Sequence, residues 1–484
     1  MPSYKSTPIF RALTILPFLI LSIIAFGQKP NIIYILTDDL GYGDVSAYNP
    51  KSKIATPSID ALSKEGMTFT DAHSNSSVCT PTRYGILTGQ YAWRTSLKNG
   101  VLWSYDKPLI TPDQLTVAQL LKNKGYQTAC IGKWHLGLDW AKQSNGAIDF
   151  TKPINGGPTQ LGFDYFFGIT ASLDIPPYVY INGNTVTATR IDSIKEQGGQ
   201  GFWRAGPIGN DFKHQDVLDS FVSKSIQYIE KASKQKDPFF LYLALASPHT
   251  PILPSNAQTG KTGTNAYGDF VAMTDEKVGQ IIQYLKDKNL DKNTMIVFTS
   301  DNGCSPSANF KELREKGHDP SSGFRGTKAD IYEGGHRIPF IVKWPGVVKA
   351  NSISSATICL TDFMATCSDI LGKPLQNTAT QDSYSLLPLL TSSKKINYQR
   401  TSTIHHSIDG YFAIRKGDWK LAICSGSGGW SVPTENQAIK NNLPAIQLYN
   451  LKEDPTEQNN VHNKYPEIVR ALTAELEKIK AAKN

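Results

Sequence analysis

Oxygen-bearing side chains that could bind a metal ion follow two short apolar runs of this sequence. Asp38 and Asp39 come directly after the first run, and Asp301 and Asn302 come directly after the last. Because these side chains offer only oxygen ligands, they favour a hard divalent cation, Ca²⁺ or Mg²⁺, over zinc. A hydrogen-bonded acidic cluster without a metal is the alternative, but three adjacent carboxylates need a compensating charge. The sequence therefore predicts a cation site.

Basic side chains follow two further apolar runs. The second run leads into GKWH, which contains Lys133 and His135, and the third leads into SPH, which ends at His249. Taken singly, each cluster could be a solvated loop or a turn. Ligands of open α/β sheets bind beyond the carboxyl ends of the strands, so four such clusters are expected to converge on one rim.

Cys79 lies in the segment SVCTPTRYGILTGQ. Pro81 suits the first turn of a helix, which would place Cys79 at a helix N-terminus, where the dipole stabilises negative charge. Arg83 lies four residues further on, on the same helical face. A buried structural cysteine is the usual role of a lone Cys and is the alternative. The segment predicts an anion site with a reactive side chain at its base.

The elements that must position these residues alternate between strand and helix. Short, buried strands are predicted over 31–37, 127–131, 239–246 and 295–299. Apolar residues recur at helical spacing over 116–124, 217–229 and 278–285. This alternation predicts an α/β fold with a large, mostly parallel sheet sandwiched by helices.

The pattern changes after about residue 390. Antiparallel strands are predicted over 411–415, 419–423 and 447–451, and Pro466 opens a helix. We therefore expect a catalytic domain over 28–390 and a small C-terminal α+β subdomain over 391–484. The segment 183–209 is rich in Gly, Asn and Thr and is predicted to be loop. His405 and His406 are adjacent, so on a strand they would point opposite ways and form no metal pair.

Composition excludes several classes of protein. The chain has 484 residues, of which 40% are hydrophobic and 19% charged, which excludes a disordered chain, a collagen-like repeat or a polytopic membrane protein. The net charge of +8 is mild for this length, so it favours anionic partners without specifying nucleic acid. Six cysteines are too few for a disulfide scaffold.

The first 27 residues are predicted to be a secretory signal. Lys5 and Arg11 precede or open an apolar run over 12–26, which is shorter than the ~20 residues that a membrane span needs. Small residues follow near Gly27. A single anchor helix is the alternative, but Pro17 interrupts the run. The sequence therefore predicts an exported protein without a stable membrane anchor.

With these motifs, the sequence resembles the type I, formylglycine-dependent sulfatases, which have the alkaline-phosphatase-like fold. CTPTR at 79–83, followed by LTG at 87–89, matches the C-x-P-x-R signature of that family. Further motifs in the family's order span nearly the whole mature chain: TDDLGYGD at 37–44, GKWHLG at 132–137, SPH at 247–249, SDNG at 300–303, FRGTKADIYEGGHRIPF at 324–340 and LYNLKEDPTEQNN at 448–460.

The resemblance implies a covalent mechanism based on Cys79. A maturation enzyme would oxidise Cys79 to Cα-formylglycine (3-oxoalanine), whose hydrated diol attacks sulfur and then expels sulfate. One Ca²⁺, with Mg²⁺ less favoured, would be bound by modified Cys79 and by Asp38, Asp39, Asp301 and Asn302. The conversion would leave five cysteines, an odd number, so Cys130, Cys304, Cys359, Cys367 and Cys424 cannot all pair.

The remaining roles also come from the resemblance. Arg83 and Lys133 would stabilise the charge of the diol, and His135 would hydrogen-bond it and take its proton. Lys328 would bind a sulfate oxygen, and His249 would protonate the leaving oxygen. Glu333 would order the loop around Lys328.

The loops 172–180 and 202–204 are expected to border the pocket. Four residues in or near these loops or elsewhere in the chain are candidate sugar contacts: Asp174, Trp203, His214 and His318. Ordinary loop packing is an equal alternative for each.

The predicted function is an exported sulfuric ester hydrolase that acts on a sulfated oligosaccharide, such as one from ulvan, carrageenan or a glycosaminoglycan. The periplasm is favoured over secretion, and the expected partners are the saccharide and the maturation enzyme, with no nucleic acid. A phosphomonoester or phosphonate hydrolase of the same superfamily is the alternative enzyme. An inactive carbohydrate-binding homologue is the non-enzymatic alternative.

Overall fold

The computed structural model describes residues 2–3, 29–372, 381–391 and 398–482. Apart from residues 2 and 3, the predicted signal segment over 1–27 lies outside the described residues, as do residues 392–397 beside the predicted boundary at 390. That domain boundary stays a prediction. Among the described helices, none combines the length and apolar character that crossing a membrane requires.

Strands and helices alternate along the chain. The described residues form the strands β1 (Asn31–Asp38), β2 (Met67–Phe69), β3 (Ala72–His73), β4 (Gln127–Lys133), β5 (Tyr165–Ile169), β6 (Ile181–Asn182), β7 (Thr185–Val186), β8 (Ile191–Ile194), β9 (Gly206–Gly209), β10 (Phe239–Pro248), β11 (Thr294–Ser300), β12 (Phe340–Lys343), β13 (Ser352–Ser354), β14 (Ile358–Cys359), β15 (Thr403–His406), β16 (Phe412–Lys416), β17 (Trp419–Ala422) and β18 (Gln447–Asn450). They form the helices α1 (Pro57–Glu65), α2 (Cys79–Thr88), α3 (Val117–Lys122), α4 (Val217–Ala232), α5 (Ala266–Asp287), α6 (Phe310–Glu315), α7 (Glu333–His336), α8 (Asp362–Ile370), α9 (Leu387–Leu390), α10 (Glu435–Lys440) and α11 (Pro466–Ala481).

A ten-stranded mixed sheet forms the centre of the fold. Its strand order is β13-β2-β12-β11-β1-β10-β4-β5-β6-β7. The five central strands, from β11 to β5, run parallel to one another, and the strands on either side of them add antiparallel pairs. This sheet confirms the predicted α/β class.

The central strands are apolar on both faces because both faces are covered by helices. Along β1, Ile32, Tyr34 and Leu36 pack into one core, which also contains residues of α2, α3 and α8. Ile33 and Ile35 point the other way, into a second core with residues of α1, α4 and α5. A strand buried on both faces needs a continuous apolar run rather than an alternating one, and such runs can be recognised in the sequence.

A second, four-stranded antiparallel sheet follows in the C-terminal part of the chain. Its order is β15-β16-β17-β18, and α11 covers it by placing Leu472 and Leu476 in a core with Ile414 and Leu421. This confirms the small C-terminal domain with an antiparallel sheet.

The prediction that 183–209 is loop is wrong in part. Residues of β8 and β9 pair there as an antiparallel hairpin, with Ile191 opposite Gly209 and Ile194 opposite Gly206. Both strands are short and mostly only partly buried, so they lack the apolar pattern that identifies a strand in sequence.

Candidate active site

The four polar clusters lie together at one edge of the large sheet. Strands β11, β1, β10 and β4 are neighbours and run parallel, so their carboxyl ends meet. Gly132, near the end of β4, has a φ of +119°, and a Cβ there would lie 1.8 Å from the carbonyl oxygen of Ala244. Only glycine lets β4 pass this close to β10 just before it delivers Lys133 and His135.

Buried acids and bases alternate at this edge. The Nζ atom of Lys133 lies 2.6 Å from Oδ2 of Asp38, and that of Lys328 lies 2.7 Å from Oδ1 of Asp39. Asn302 donates its Nδ2 to the same oxygen of Asp39 at 2.7 Å. All five side chains are buried, so these charges interact in a medium of low polarity.

The pKa values of the acids reflect this crowding. Burial opposes ionisation of Asp38, but Lys133 and the neighbouring basic side chains outweigh it and hold the pKa of Asp38 well below its usual value. Burial and the charge of Asp38 raise the pKa of Asp301 to about 6, although Arg83 acts in the opposite direction.

Unpartnered oxygens, rather than the number of acids, indicate a cation site. The positive charges of Arg83, Lys133 and Lys328 already balance the negative charges of the three aspartates, so no cation is needed to neutralise them. Oδ1 of Asp38 and Oδ1 of Asn302 are buried, however, and no described residue donates to either of them. Two such oxygens beside further carboxylates fit a hard divalent cation.

Cys79 is the first residue of α2 and is only 3% exposed. Burial raises the pKa of its thiol, although Lys133 and Lys328 act in the opposite direction. The expected stabilisation of negative charge at the helix N-terminus therefore does not make this thiol a thiolate at neutral pH. An unmodified Cys79 would be a weak nucleophile.

Arg83 ties α2 to the ends of two strands. Its Nε and Nη2 atoms both donate to Oδ2 of Asp301, at 3.1 and 2.8 Å, and its Nη1 donates to the carbonyl oxygen of Lys133 at 3.0 Å. The side chain is fully buried. Arg83 thus fixes Cys79, one helical turn away, relative to the acids.

Thr80 connects Cys79 to His135, a role that the sequence analysis missed. Its hydroxyl donates to the carbonyl oxygen of His135 at 3.0 Å and accepts from the backbone N–H of Leu102 at 3.2 Å. Nε2 of His135 lies 2.7 Å from the carbonyl oxygen of Leu102, which can only accept, so the proton resides on Nε2. The second position of the CTPTR motif was the only signal for this role.

His135 is a neutral base with one free nitrogen. Burial lowers its pKa well below the ordinary value, and Lys133 and Arg83 lower it further. Its Nδ1 atom is buried and has no partner in the described part of the chain. Because Nε2 carries the proton, the lone pair on Nδ1 is available to accept another.

His249 faces the same acids from the end of β10. Its Nδ1 atom donates to the carbonyl oxygen of Thr250 at 2.6 Å, and its Nε2 atom lies 3.6 Å from Oδ2 of Asp39. The side chain is 11% exposed, so it is more accessible than Lys133 or Asp38.

Lys328 lies on a loop held between α2 and the C-terminal sheet. The next residue, Ala329, donates its backbone N–H to the carbonyl oxygen of Ser77 at 2.8 Å. Burial alone would lower the pKa of Lys328, but Asp39 raises it, so the ammonium group stays charged. Glu333 pairs with Lys420 at 3.1 Å and Arg337 at 3.0 Å, and thereby joins this region to β17.

The structure places His318 inside the protein, and its contact with a sugar stays a prediction. The residue is 1% exposed, and its Nε2 atom lies 2.7 Å from Oδ1 of Asp44. Asp44 also accepts from the hydroxyl of Tyr267 and from the backbone N–H of Gly41. His318 therefore supports the loop after β1 from inside the protein.

Trp203 and His214 pack on each other instead of lining an open surface. Their rings stack with centroids 4.4 Å apart and planes 10° apart, and the Nε1 atom of Trp203 donates to the carbonyl oxygen of Lys195. Both are less than 10% exposed. Their packing supports the loop that follows β8, and their contact with a sugar stays a prediction. Asp174 pairs with Arg204 at 2.5 Å.

His405 and His406 point to opposite sides of β15, as expected. His405 stacks on His336 with centroids 3.7 Å apart and planes 7° apart, whereas His406 packs on Phe412. Because the two side chains lie on opposite sides of the strand, His405 and His406 do not form a metal-binding pair with each other. The six cysteines are all buried and unpaired.

Comparisons with known proteins agree with this fold and show the family. The family described as Sulfatase matches residues 30–373, and the family described as N-sulphoglucosamine sulphohydrolase, C-terminal, matches residues 326–482. The N-acetylgalactosamine-6-O-sulfatase of Bacteroides thetaiotaomicron is 35% identical over 94% of each chain. Arylsulfatase A of Homo sapiens is 30% identical over 93% of this chain and 87% of its own.

A solved structure from Bacteroides thetaiotaomicron, described in connection with the metabolism of multiple glycosaminoglycans, is similar throughout. It is 33% identical, covers 94% of this chain and 100% of its own, and has a TM-score of 0.83. The fold and the charged edge of the sheet thus define a hydrolase of the alkaline-phosphatase-like superfamily. Within it, the chain belongs to the sulfatase family and is a sulfuric ester hydrolase.

Proposed function

We propose that this enzyme removes sulfate from a sulfated carbohydrate by means of a formylglycine nucleophile made from Cys79. The observation that carries this proposal is the position of Cys79 at the start of α2, tied through Arg83 to the buried acids. A buried thiol whose pKa is raised is poorly suited to attack sulfur itself. The hydrated aldehyde supplies two hydroxyl groups in the same place.

A divalent cation, Ca²⁺ in preference to Mg²⁺, is proposed to bind beside residue 79. The side chains that would hold it are Asp38, Asp39, Asp301 and Asn302. Once bound, such a cation neutralises sulfate oxygens and acidifies a coordinated hydroxyl. The unpartnered oxygens of Asp38 and Asn302 support this assignment.

His135 is proposed to accept a proton from the diol. Its protonated Nε2 is bound to Leu102, so Nδ1 is the nitrogen that can take the proton. One diol oxygen then attacks sulfur as the bond from sulfur to the sugar oxygen breaks, which forms a covalent sulfate ester on residue 79. After His135 has released the first proton to solvent, it takes the proton of the second hydroxyl, and the C–O bond to sulfate breaks. Release of sulfate regenerates the aldehyde. A serine at position 79 could form the ester but has no second hydroxyl to expel sulfate.

His249 is proposed to donate a proton to the leaving oxygen. Its Nδ1 atom is bound to Thr250, which leaves the Nε2 atom for the substrate. The alkoxide of a sugar is a poor leaving group, so protonation lowers the barrier. Lys328 and Lys133 would stabilise the charge on sulfate and on the diol.

The proposed substrate is an oligosaccharide derived from a glycosaminoglycan, with ulvan and carrageenan fragments as alternatives. The relative from Bacteroides thetaiotaomicron is named an N-acetylgalactosamine-6-O-sulfatase, which supports a sulfated amino sugar. We propose export through the segment 1–27, action in the periplasm rather than after secretion, and conversion of Cys79 by a maturation enzyme. Neither nucleic acid nor a stable membrane anchor is part of the proposal.

Two measurements test the proposal. Mass spectrometry of the peptide containing Cys79, from protein made in its native host, should detect the aldehyde, and an unchanged thiol in active enzyme would contradict the mechanism. Turnover of matched sulfate and phosphate esters should favour the sulfate. Faster phosphate turnover would favour the phosphomonoester or phosphonate alternative, and saccharide binding without any turnover would favour the inactive homologue.

A further inference from the structure

A loop over residues 195–205, here called the hairpin loop, joins β8 to β9 and connects two sides of the active site. On one side, Gln200 accepts from the backbone N–H of Ile252 at 2.9 Å, three residues after His249. On the other side, the guanidinium of Arg204 lies 5.2 Å from the ring centroid of Trp103. The hairpin loop therefore contacts both the segment after His249 and the residue that follows Leu102, whose carbonyl oxygen holds His135.

Trp103 places Arg204 close to the reacting groups. The residue before Trp103 is Leu102, whose carbonyl oxygen holds Nε2 of His135 at 2.7 Å. Trp103 itself is 51% exposed, so its ring faces solvent beside this contact. An exposed indole next to a sugar-sulfate site offers a flat apolar surface on which a second sugar ring can stack.

Arg204 is held in a fixed position by its neighbours. The guanidinium lies 5.2 Å from the ring centroid of Trp103 and 5.0 Å from that of Phe202. Its Nη1 atom donates to Oδ2 of Asp174 at 2.5 Å and to the carbonyl oxygen of Asp174 at 3.1 Å. A side chain clamped in this way loses little conformational entropy when it binds a ligand.

Part of the Arg204 guanidinium remains available. Its side chain is 40% exposed, and within the described ranges no residue accepts from its Nε or Nη2 atoms. These two nitrogens form the planar fork that binds a carboxylate or a sulfate through two parallel hydrogen bonds. Because Asp174 already neutralises much of the charge, recognition would depend on this fork rather than on general attraction for anions.

We propose that Arg204 binds an anionic substituent, a uronate carboxylate or a second sulfate, on the sugar next to the one that loses sulfate. This inference rests on the proposed carbohydrate sulfatase function. It adds a specificity-determining residue outside the buried cluster that handles the reacting sulfate, with Trp103 as the adjacent stacking surface. The preferred substrate is thus an oligosaccharide with at least two negative groups.

The test uses Arg204→Met in the full-length matured enzyme. Its substrates are a simple aryl sulfate and three disaccharides that share the same sulfated sugar, with a neutral, a uronate-bearing or a sulfated neighbour. We expect kcat/KM to fall about 10- to 100-fold on one or both anionic disaccharides, mainly through KM, as expected for loss of charge-assisted hydrogen bonds. The aryl sulfate and the neutral disaccharide should change less than about threefold.

Arg190→Met is the matched control. Arg190 lies at the other end of the same hairpin and pairs with Asp192 at 2.9 Å, and its side chain is 71% exposed. It should change turnover of no substrate, whereas Arg204→Lys should restore part of the preference. The thermal midpoint of each variant checks that the hairpin stays folded.

The outcomes separate the inference from the proposed function. A selective loss on the uronate or on the sulfated neighbour identifies which anion Arg204 binds. An equal loss on all substrates, or no loss on any, would overturn the inference while wild-type sulfate release keeps the proposed function intact. Absence of sulfate release from any substrate by wild-type enzyme with a converted residue 79 would overturn both.

Discussion

Replacing Lys328 with methionine distinguishes a group that acts on sulfate from one that only neutralises a buried acid. The ammonium contacts Asp39 at 2.7 Å, and the two side chains are 6% and 1% exposed. Methionine keeps most of the volume and removes the charge. A purely structural lysine would affect stability alone, whereas a sulfate-binding lysine would also affect the transition state.

The structure sets the size of both effects. Removing one partner of a buried pair costs about 3–5 kcal/mol, which corresponds to a fall in the thermal midpoint of roughly 1 °C per kcal/mol for a chain of this length. Loss of one positioned group that stabilises developing charge lowers kcat about 10²- to 10³-fold. We therefore expect Lys328→Met to lower kcat/KM by at least about 100-fold.

Lys343→Met supplies the matched control. Lys343, on β12, is also a buried lysine, with a side chain that is 5% exposed. It pairs with Glu65 of α1 at 2.6 Å. Because Glu65 is 36% exposed, its loss of a partner should cost only about 1 kcal/mol. Kinetics on an aryl sulfate and thermal unfolding are measured for both variants. Activity of Lys328→Met within about threefold of Lys343→Met would refute a role for Lys328 in sulfate binding.

The remaining predictions concern the nucleophile, the cation and two buried histidines. Cys79→Ser and Cys79→Ala should abolish sulfate release without lowering the thermal midpoint by more than about 2 °C, and unfolding of Cys79→Ser would instead support a structural cysteine. Chelation should remove activity and lower the thermal midpoint, and Ca²⁺ should restore both, since a ligand at about 100 times its Kd stabilises by about 2.7 kcal/mol; full activity in chelator would contradict a cation site. His318→Leu should lower the free energy of unfolding by about 2–3 kcal/mol, because it leaves an acceptor oxygen of Asp44 unpaired, and KM should stay unchanged. An increase in KM without destabilisation would support the sugar-contact hypothesis. Burial lowers the pKa of His214 from 6.5 to about 4, so its neutral form contributes stability above pH 6.5 that is lost as the pH falls toward 4. In His214→Phe, which retains a ring against Trp203, the free energy of unfolding measured by denaturant titration should fall by about 3 kcal/mol less than in wild type between pH 6.5 and pH 4. An identical pH dependence of the two proteins would refute the assignment.

The central sheet could be predicted from sequence because its strands are buried on both faces. Continuous apolar runs such as 31–37 have few alternatives, and the polar residues that end them mark one edge of a parallel sheet. The same reasoning placed Asp38, Asp301 and Lys133 together. The hairpin of β8 and β9 lacked any such signal, since its four-residue strands are only partly buried and contain no continuous apolar run.

Side-chain partners were the part that sequence could not supply. His318 and Trp203 look like sugar ligands by residue type, but the structure gives one a buried carboxylate and the other a stacked imidazole. Arg204 had no distinguishing pattern, because its position depends on Trp103 and Asp174 at distant points in the chain. The role of Thr80 likewise depends on the carbonyl oxygen of a residue 55 positions away.

The burial of Cys79 also restricts when the proposed formylglycine could be made from it. At 3% exposure, the first residue of α2 offers no room for another enzyme's active site once the strands have paired. The proposed conversion to formylglycine would therefore have to precede or accompany folding, and the two processes would compete in time. A host that folds this chain faster than it oxidises residue 79 would accumulate native, stable and permanently inactive molecules, which later exposure to the maturation enzyme could not rescue.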